Sequence, residues 1–294
     1  MWNLWQSSFV RSLILDSALF PAAVTMLIVV AAYYKTRKCP RWRSIIWGAA
    51  ILGGFLGGYA LIYRDLSFPF PPRTVLSWLP WLALMGGIVV AIADRRKHPG
   101  WRYGARGMTA SVSAWILLWP IMRQESVLAA FLAWLTVAGL WSVLWLALIP
   151  DKRDQKSTGA TLFVGAVGLA LVAPLSSSIL LAQFGSALAV VLAVALVFSF
   201  LMRGSRWDSP SAEVGVLILG ALMVDLRFYA GASMGVMVWL LVSLAAGAGV
   251  ASILQHRGSS SRWAVLTPGL ISSLPMAVAG WMALQTYLAS GGGY

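Results

Sequence analysis

A chain of 294 residues that is 60% apolar and only 11% charged, with a mean hydropathy of +0.80, lacks the polar surface a soluble domain of this size requires. Its net charge of +13 comes from short basic stretches, too short and too poor in interleaved aromatics to make a nucleic-acid platform. The pattern predicts an all-α polytopic transmembrane helical bundle, because apolar runs of about 20 residues match a hydrocarbon core about 30 Å thick. β-Barrel strands would alternate polar and apolar residues, and these runs do not.

Taken in order, residues 1–16 place Trp2, Trp5, Phe9 and Leu13 on one helical side. That spacing suits an interfacial segment, or a first helix that begins early. No basic residue precedes Arg11, so a cleaved signal peptide is not expected. The first span is expected over Ser17–Tyr34, followed by the basic loop KTRKCPRWR and a second span over Ser44–Tyr63. The prolines of RDLSFPFPPR then enforce an outer turn. A third span follows over Val75–Ala93, then a polar loop around Asp94–Arg106 and a fourth span over Gly107–Met122. The fifth covers Ser126–Ile149. The uncharged stretch Thr158–Met202 is too long for one crossing, and Ala173-Pro-Leu-Ser-Ser-Ser divides it into a sixth and a seventh. The eighth to tenth are expected over Ser211–Ala230, Ser233–Leu254 and Ala264–Leu288.

About ten spans result, arranged as short-looped hairpins in one transmembrane domain (17–289) with a flexible tail (290–294). Every Lys and Arg except Arg11, Arg64, Arg73, Arg123 and Arg227 falls in five short loops that alternate perfectly with this count. Basic loops stay cytoplasmic, so both termini are expected on the non-cytoplasmic side, in a membrane such as the bacterial inner membrane. The bilayer, and anionic headgroups at those basic loops, are the implied partners; membrane protein partners are compatible with the many tryptophans.

Four glycines of the second span, Gly53, Gly54, Gly57 and Gly58, form overlapping GxxxG pairs that invite close helix packing. Asp225 and Arg227 in LMVDLRFYAG fall in the outer third of the bilayer, about 21 Å along the helix from Ser211. Charges there face a partner or a wet cavity, with Arg64, Asp65, Arg123, Glu125 and Gln183 as candidate partners. An early helix end with Arg227 reaching the headgroups fits the same residues. Pro275 and Pro80 stand inside spans as candidate hinges or packed kinks, and Ser272 and Ser273 are placed to help satisfy the Ile271 carbonyl that Pro275 leaves free.

Catalytic chemistry is not visible. His98, His256 and Cys39 lie in predicted loops, so neither a haem, a metal site nor any other cofactor is implied. No phosphate-binding loop, nucleophile elbow or carboxylate pair occurs, and a lipid-modifying enzyme ranks last among the functions considered. The pattern fits permease-like binding or facilitated movement of a small neutral or weakly anionic solute, with Asp225, Arg227 and Gln183 near the path. The alternative is a cofactor-free scaffolding subunit of a larger membrane complex. The threading is tested directly by a tag fused after Tyr294, which is expected to resist labelling by a cytoplasmic reagent until the membrane is permeabilised.

Overall fold

A computed structural model of the chain describes residues 14–36, 43–63, 72, 74–94, 99–149, 156–201, 207, 209–256 and 262–290. The expected interfacial segment before residue 14 and the tail after residue 290 lie outside them, as do Cys39, Arg64, Asp65 and His98. The described residues form ten α-helices and no strand. They are α1 (Phe20–Thr36), entered through a π-helical turn at Leu15–Leu19, α2 (Arg43–Tyr63), α3 (Val75–Asp94), α4 (Pro99–Met122) and α5 (Val127–Leu148). There follow α6 (Lys156–Leu175), α7 (Ile179–Leu201), α8 (Ser209–Phe228), α9 (Met234–His256) and α10 (Arg262–Ala289).

Six stretches, in α1 with its π turn and in α5, α6, α7, α9 and α10, are long and apolar enough to cross a membrane by length and composition. Shorter apolar stretches occur in α2 and α3. The chain is thus an all-helical protein with the character of an integral membrane protein. The divide between α6 and α7 falls where the proline and serines predicted it. Ser176 and Ser178 donate their backbone N–H groups back to Ala173, and Ser178 then caps α7 by accepting from Leu181 N.

α8 is the hub. Every residue from Ser211 to Leu226 is buried, on all faces of the helix. A helix buried all round packs against other helices rather than against lipid. This explains how α8 holds Glu213, Asp225 and Arg227 although no such charge load suits a lipid-facing span. α2 and α3 pack along one side of it and α6 and α7 along another, with α4, α5 and α9 completing the ring. α1 lies outside, against α2 and α7, and α10 lies outside against α6 and α9.

Small residues let these helices meet closely. A Cβ on Gly54 would collide with the Thr25 hydroxyl of α1 and approach Val191 of α7 at 2.9 Å, and one on Gly58 would meet Pro21 at 2.7 Å. Aromatic rings fill the space beyond, where Tyr59 of α2 stacks on Phe184 of α7 and on Tyr63, each at 5.2 Å between centroids. In an apolar solvent such contacts act through dispersion and shape, since lipid tails remove the hydrophobic drive between helices. A polar knot ties α6, α9 and α10. Ser243 donates to the Ser272 carbonyl at 2.6 Å, and Gly247 leaves room for Ser272 and Thr161.

Two local expectations are corrected. Arg106 is not at the edge of a loop. The helix begins at Pro99, seven residues earlier, and carries Trp101, Arg102 and Arg106 within it. Nor do the serines before Pro275 serve the Ile271 carbonyl: Ser272 donates to Pro268 O at 2.8 Å and Ser273 to Leu270 O at 2.6 Å. Pro80 and Pro275 both sit inside continuous helices, the first buried and the second half-buried.

Gly54→Ala is therefore expected to lower stability by about 1–3 kcal/mol, the usual cost of overpacking a tight contact. Gly104→Ala, where an added Cβ meets nothing within 4 Å, should be neutral or stabilising by up to about 1 kcal/mol through helix propensity. Thermal unfolding of the two variants in one detergent checks the contrast.

Candidate functional site

The enclosed part of α8 carries two acids, Glu213 and Asp225, about 18 Å apart along the axis at 1.5 Å per residue. Their surroundings differ completely.

Glu213 is matched. Arg106, four residues below the middle of α4, donates from Nε at 3.0 Å and from a terminal nitrogen at 2.6 Å, both to Oε1 of Glu213. The other terminal nitrogen reaches the Ile149 carbonyl at 3.4 Å. Ile149 closes α5, so the guanidinium also meets the negative end of that helix. The Thr158 hydroxyl of α6 donates to the neighbouring Leu148 carbonyl at 2.7 Å, which satisfies a second exposed end group. Beside this cluster Trp207 is buried, its indole lying on Gly159 so closely that a Cβ there would touch the ring at 2.7 Å. One ion pair thus joins α4, α5 and α8 at one end of the bundle. Neither partner was singled out as a pair in the sequence. The available signal was that an acid inside a span demands a cation at the same depth, and Arg106 bounds the fourth span on the same side as Glu213.

Asp225 is unmatched. It is 1% exposed, and neither carboxyl oxygen meets a hydrogen-bond donor among the described residues. It lies eleven positions beyond Val214, about three turns on the same face of α8. Val214 turns that face toward Gly87 of α3 and Leu52 of α2. Around the end of α8 the backbone is tightly tied. Gly231 takes φ +71°, and Ala232 N–H donates to Leu226 O at 3.1 Å. The Tyr229 hydroxyl donates to Leu117 O of α4 at 2.7 Å.

Arg227 points elsewhere. It donates to Ala232 O at 2.9 Å and lines a cavity of about 450 Å³ between α5, α8 and α9, from whose wall Asp225 is absent. Apart from Thr136, whose hydroxyl donates to Leu132 O at 2.8 Å, the rest of the wall is apolar, with Leu132 and Trp141 on α5, Gly220 and Met223 on α8, and Met234 and Met237 on α9. The expected neighbours resolve as follows. Gln183 is half-buried on α7 at the same end of the bundle, and no described hydrogen bond or ion pair joins it to Asp225 or Arg227. Arg123 sits over the Trp119 ring at 4.6 Å in the exposed turn after α4, next to an exposed Glu125. Asp225, Arg227 and Gln183 therefore share a level in the bundle without forming one cluster. Compared with known proteins, the chain matches no family model and no curated protein.

Opposite stability effects follow for the two acids. Glu213→Gln leaves the buried Arg106 charge uncompensated and should cost about 3–5 kcal/mol, whereas replacing both partners by Met should restore most of it. Asp225→Asn exchanges an unpartnered buried acid for an uncharged group of equal size, and should be neutral or stabilising. Thermal unfolding in a single detergent at pH 7 measures all three.

Proposed function

We propose that the protein is permease-like: it binds a small neutral polar solute beside α8 and lets it cross the membrane, with Asp225 as the group that meets it. The observation that carries this is the Asp225 carboxyl, enclosed in the bundle and without a donor among the described residues. A buried polar group with no partner costs free energy, and inside a membrane protein it marks a site for a ligand or ion by default. A solute bearing hydroxyl or amide donors supplies the missing hydrogen bonds. Arg227 turns toward the α5 side, so the Asp225 locus does not favour the weakly anionic solutes that the sequence left open. Gln183, on the neighbouring α7 at the same level, is the further group proposed along the path.

The ten-span threading, with both termini outside a cytoplasmic or inner membrane and Pro80 and Pro275 as hinges, belongs to this proposal. α8 then crosses within the bundle, screened from lipid by the helices around it, while α4 turns Met108, Val112 and Trp115 outward. The competing scaffold role is favoured by α5, whose Val127, Leu128 and Val143 are among the most exposed apolar side chains. A stoichiometric complex surviving gentle extraction would replace the transport proposal with that one.

In proteoliposomes, a panel of neutral polyols and amides should include solutes that enter faster than across protein-free vesicles. Asp225→Asn should slow that entry by about tenfold, the worth of one buried hydrogen bond to a charged or polar partner, while the variant stays folded. Entry unchanged by Asp225→Asn would remove α8 from the path.

A further inference from the structure

The cavity on the opposite side of α8 has a different chemistry. It runs along α5 from Leu132 to Leu144, about 18 Å at 1.5 Å per residue. A volume of about 450 Å³ over that length is a narrow slot, roughly the girth of one extended hydrocarbon chain. Its rim is open to the membrane side, since Leu132, Leu140, Met234 and Val238 are half or more exposed. Its floor contains Gly220, whose missing side chain admits the Trp141 ring. Met223, Met234 and Met237 give the walls flexible, polarisable side chains that adapt to a chain of variable shape.

One end of the slot is charged. Arg227 stands in the last turn of α8, beside the start of α9, and on the ten-span threading its side chain reaches the headgroup level. It spends one of its five N–H donors on Ala232 O. The remaining fork suits a phosphate, which guanidinium groups hold through paired, charge-assisted hydrogen bonds.

We propose that the slot between α5, α8 and α9 binds one acyl chain of an anionic phospholipid entering sideways from the bilayer, with Arg227 holding a phosphate whose charge no headgroup cation offsets. An apolar slot that opens to hydrocarbon and ends in a single cation complements such a molecule at both ends. A water-soluble anion would satisfy Arg227 and leave the slot unfilled, and a zwitterionic lipid would fill the slot but offer Arg227 a phosphate already offset by its own ammonium. The site is independent of the solute path, because Asp225 is not part of it.

The test uses the full chain in nanodiscs of equal phosphatidylglycerol and phosphatidylcholine, released and read by native mass spectrometry for retained lipid. The unmodified protein should keep phosphatidylglycerol in preference to phosphatidylcholine. Arg227→Gln should reduce that ratio about fivefold or more while chain retention persists. Val238→Trp, which places an indole across the exposed rim, should reduce retention of both lipids and carries the test if Arg227→Gln folds poorly. Arg123→Gln, at the same end but outside the slot, should leave the ratio unchanged. Equal retention of the two lipids by the unmodified protein would overturn the proposal. So would an Arg123→Gln effect as large as that of Arg227→Gln, or a Val238→Trp protein that retains lipid as before.

Discussion

The structure depends on the full enclosure of α8, and the Arg106–Glu213 pair is what makes that enclosure tolerable at one end. A carboxylate removed from water needs a partner whose attraction and hydrogen bonds offset its lost hydration. Arg106 supplies two bonds to a single oxygen and spends its third nitrogen on the end of α5. The pair therefore does more than neutralise charge. It fixes the depth of α4 against α8 and pins the end of α5 to both. A buried ion pair is poor evidence of net stability, since well-packed apolar residues often do as well, but it specifies register in a way that interchangeable aliphatic contacts do not.

The two ends of α8 are built on different rules. Around Glu213, polar groups are satisfied by the protein itself: guanidinium to carboxylate, guanidinium to helix end, threonine hydroxyl to helix end. Around Asp225 the backbone is equally well tied, through Gly231, Ala232 and the Tyr229 bond to α4, yet the side chain has no donor among the described residues. The proposed solute site rests on this contrast, because the cost of leaving a buried group bare is recovered when a ligand supplies the donor. Arg227, two residues on, belongs to a separate surface. The 100° step between successive helical residues sends the two charges to opposite sides of α8, one into the bundle and one into the slot beneath α5.

Helix packing supplies this frame without the hydrophobic effect. In hydrocarbon, what separates one helix arrangement from another is how closely surfaces fit. Gly54 and Gly58 admit α1 and α7, Gly159 admits Trp207, and Gly220 admits Trp141. Each is a notch for a particular partner. By contrast α5, with its outward aliphatic face, leans mainly on α4 through Trp134, whose indole donates to Ser111 O at 3.0 Å. The slot exists because that one helix stands away from α8 and α9 over part of its length.

Much of the fold could be read from the chain alone. The ten helical segments, the divide at Pro174 and the serines after it, and the class of solvent follow from run length, proline position and charge placement, which are local properties. Asp225 and Arg227 could be picked out for the same reason: a charge inside an apolar run is conspicuous wherever the run ends up. Which charges are paired was not legible. Arg106 and Glu213 are 107 residues apart in the chain, and their contact exists only because α4 and α8 pack side by side. Nor could the chain say that α8 is enclosed while α5 leaves most of one face uncovered, since both read as spans. That distinction decides whether a polar side chain faces lipid, a neighbour or an empty slot. It belongs to the arrangement of helices, where complementary shape between distant segments sets the neighbours of every residue.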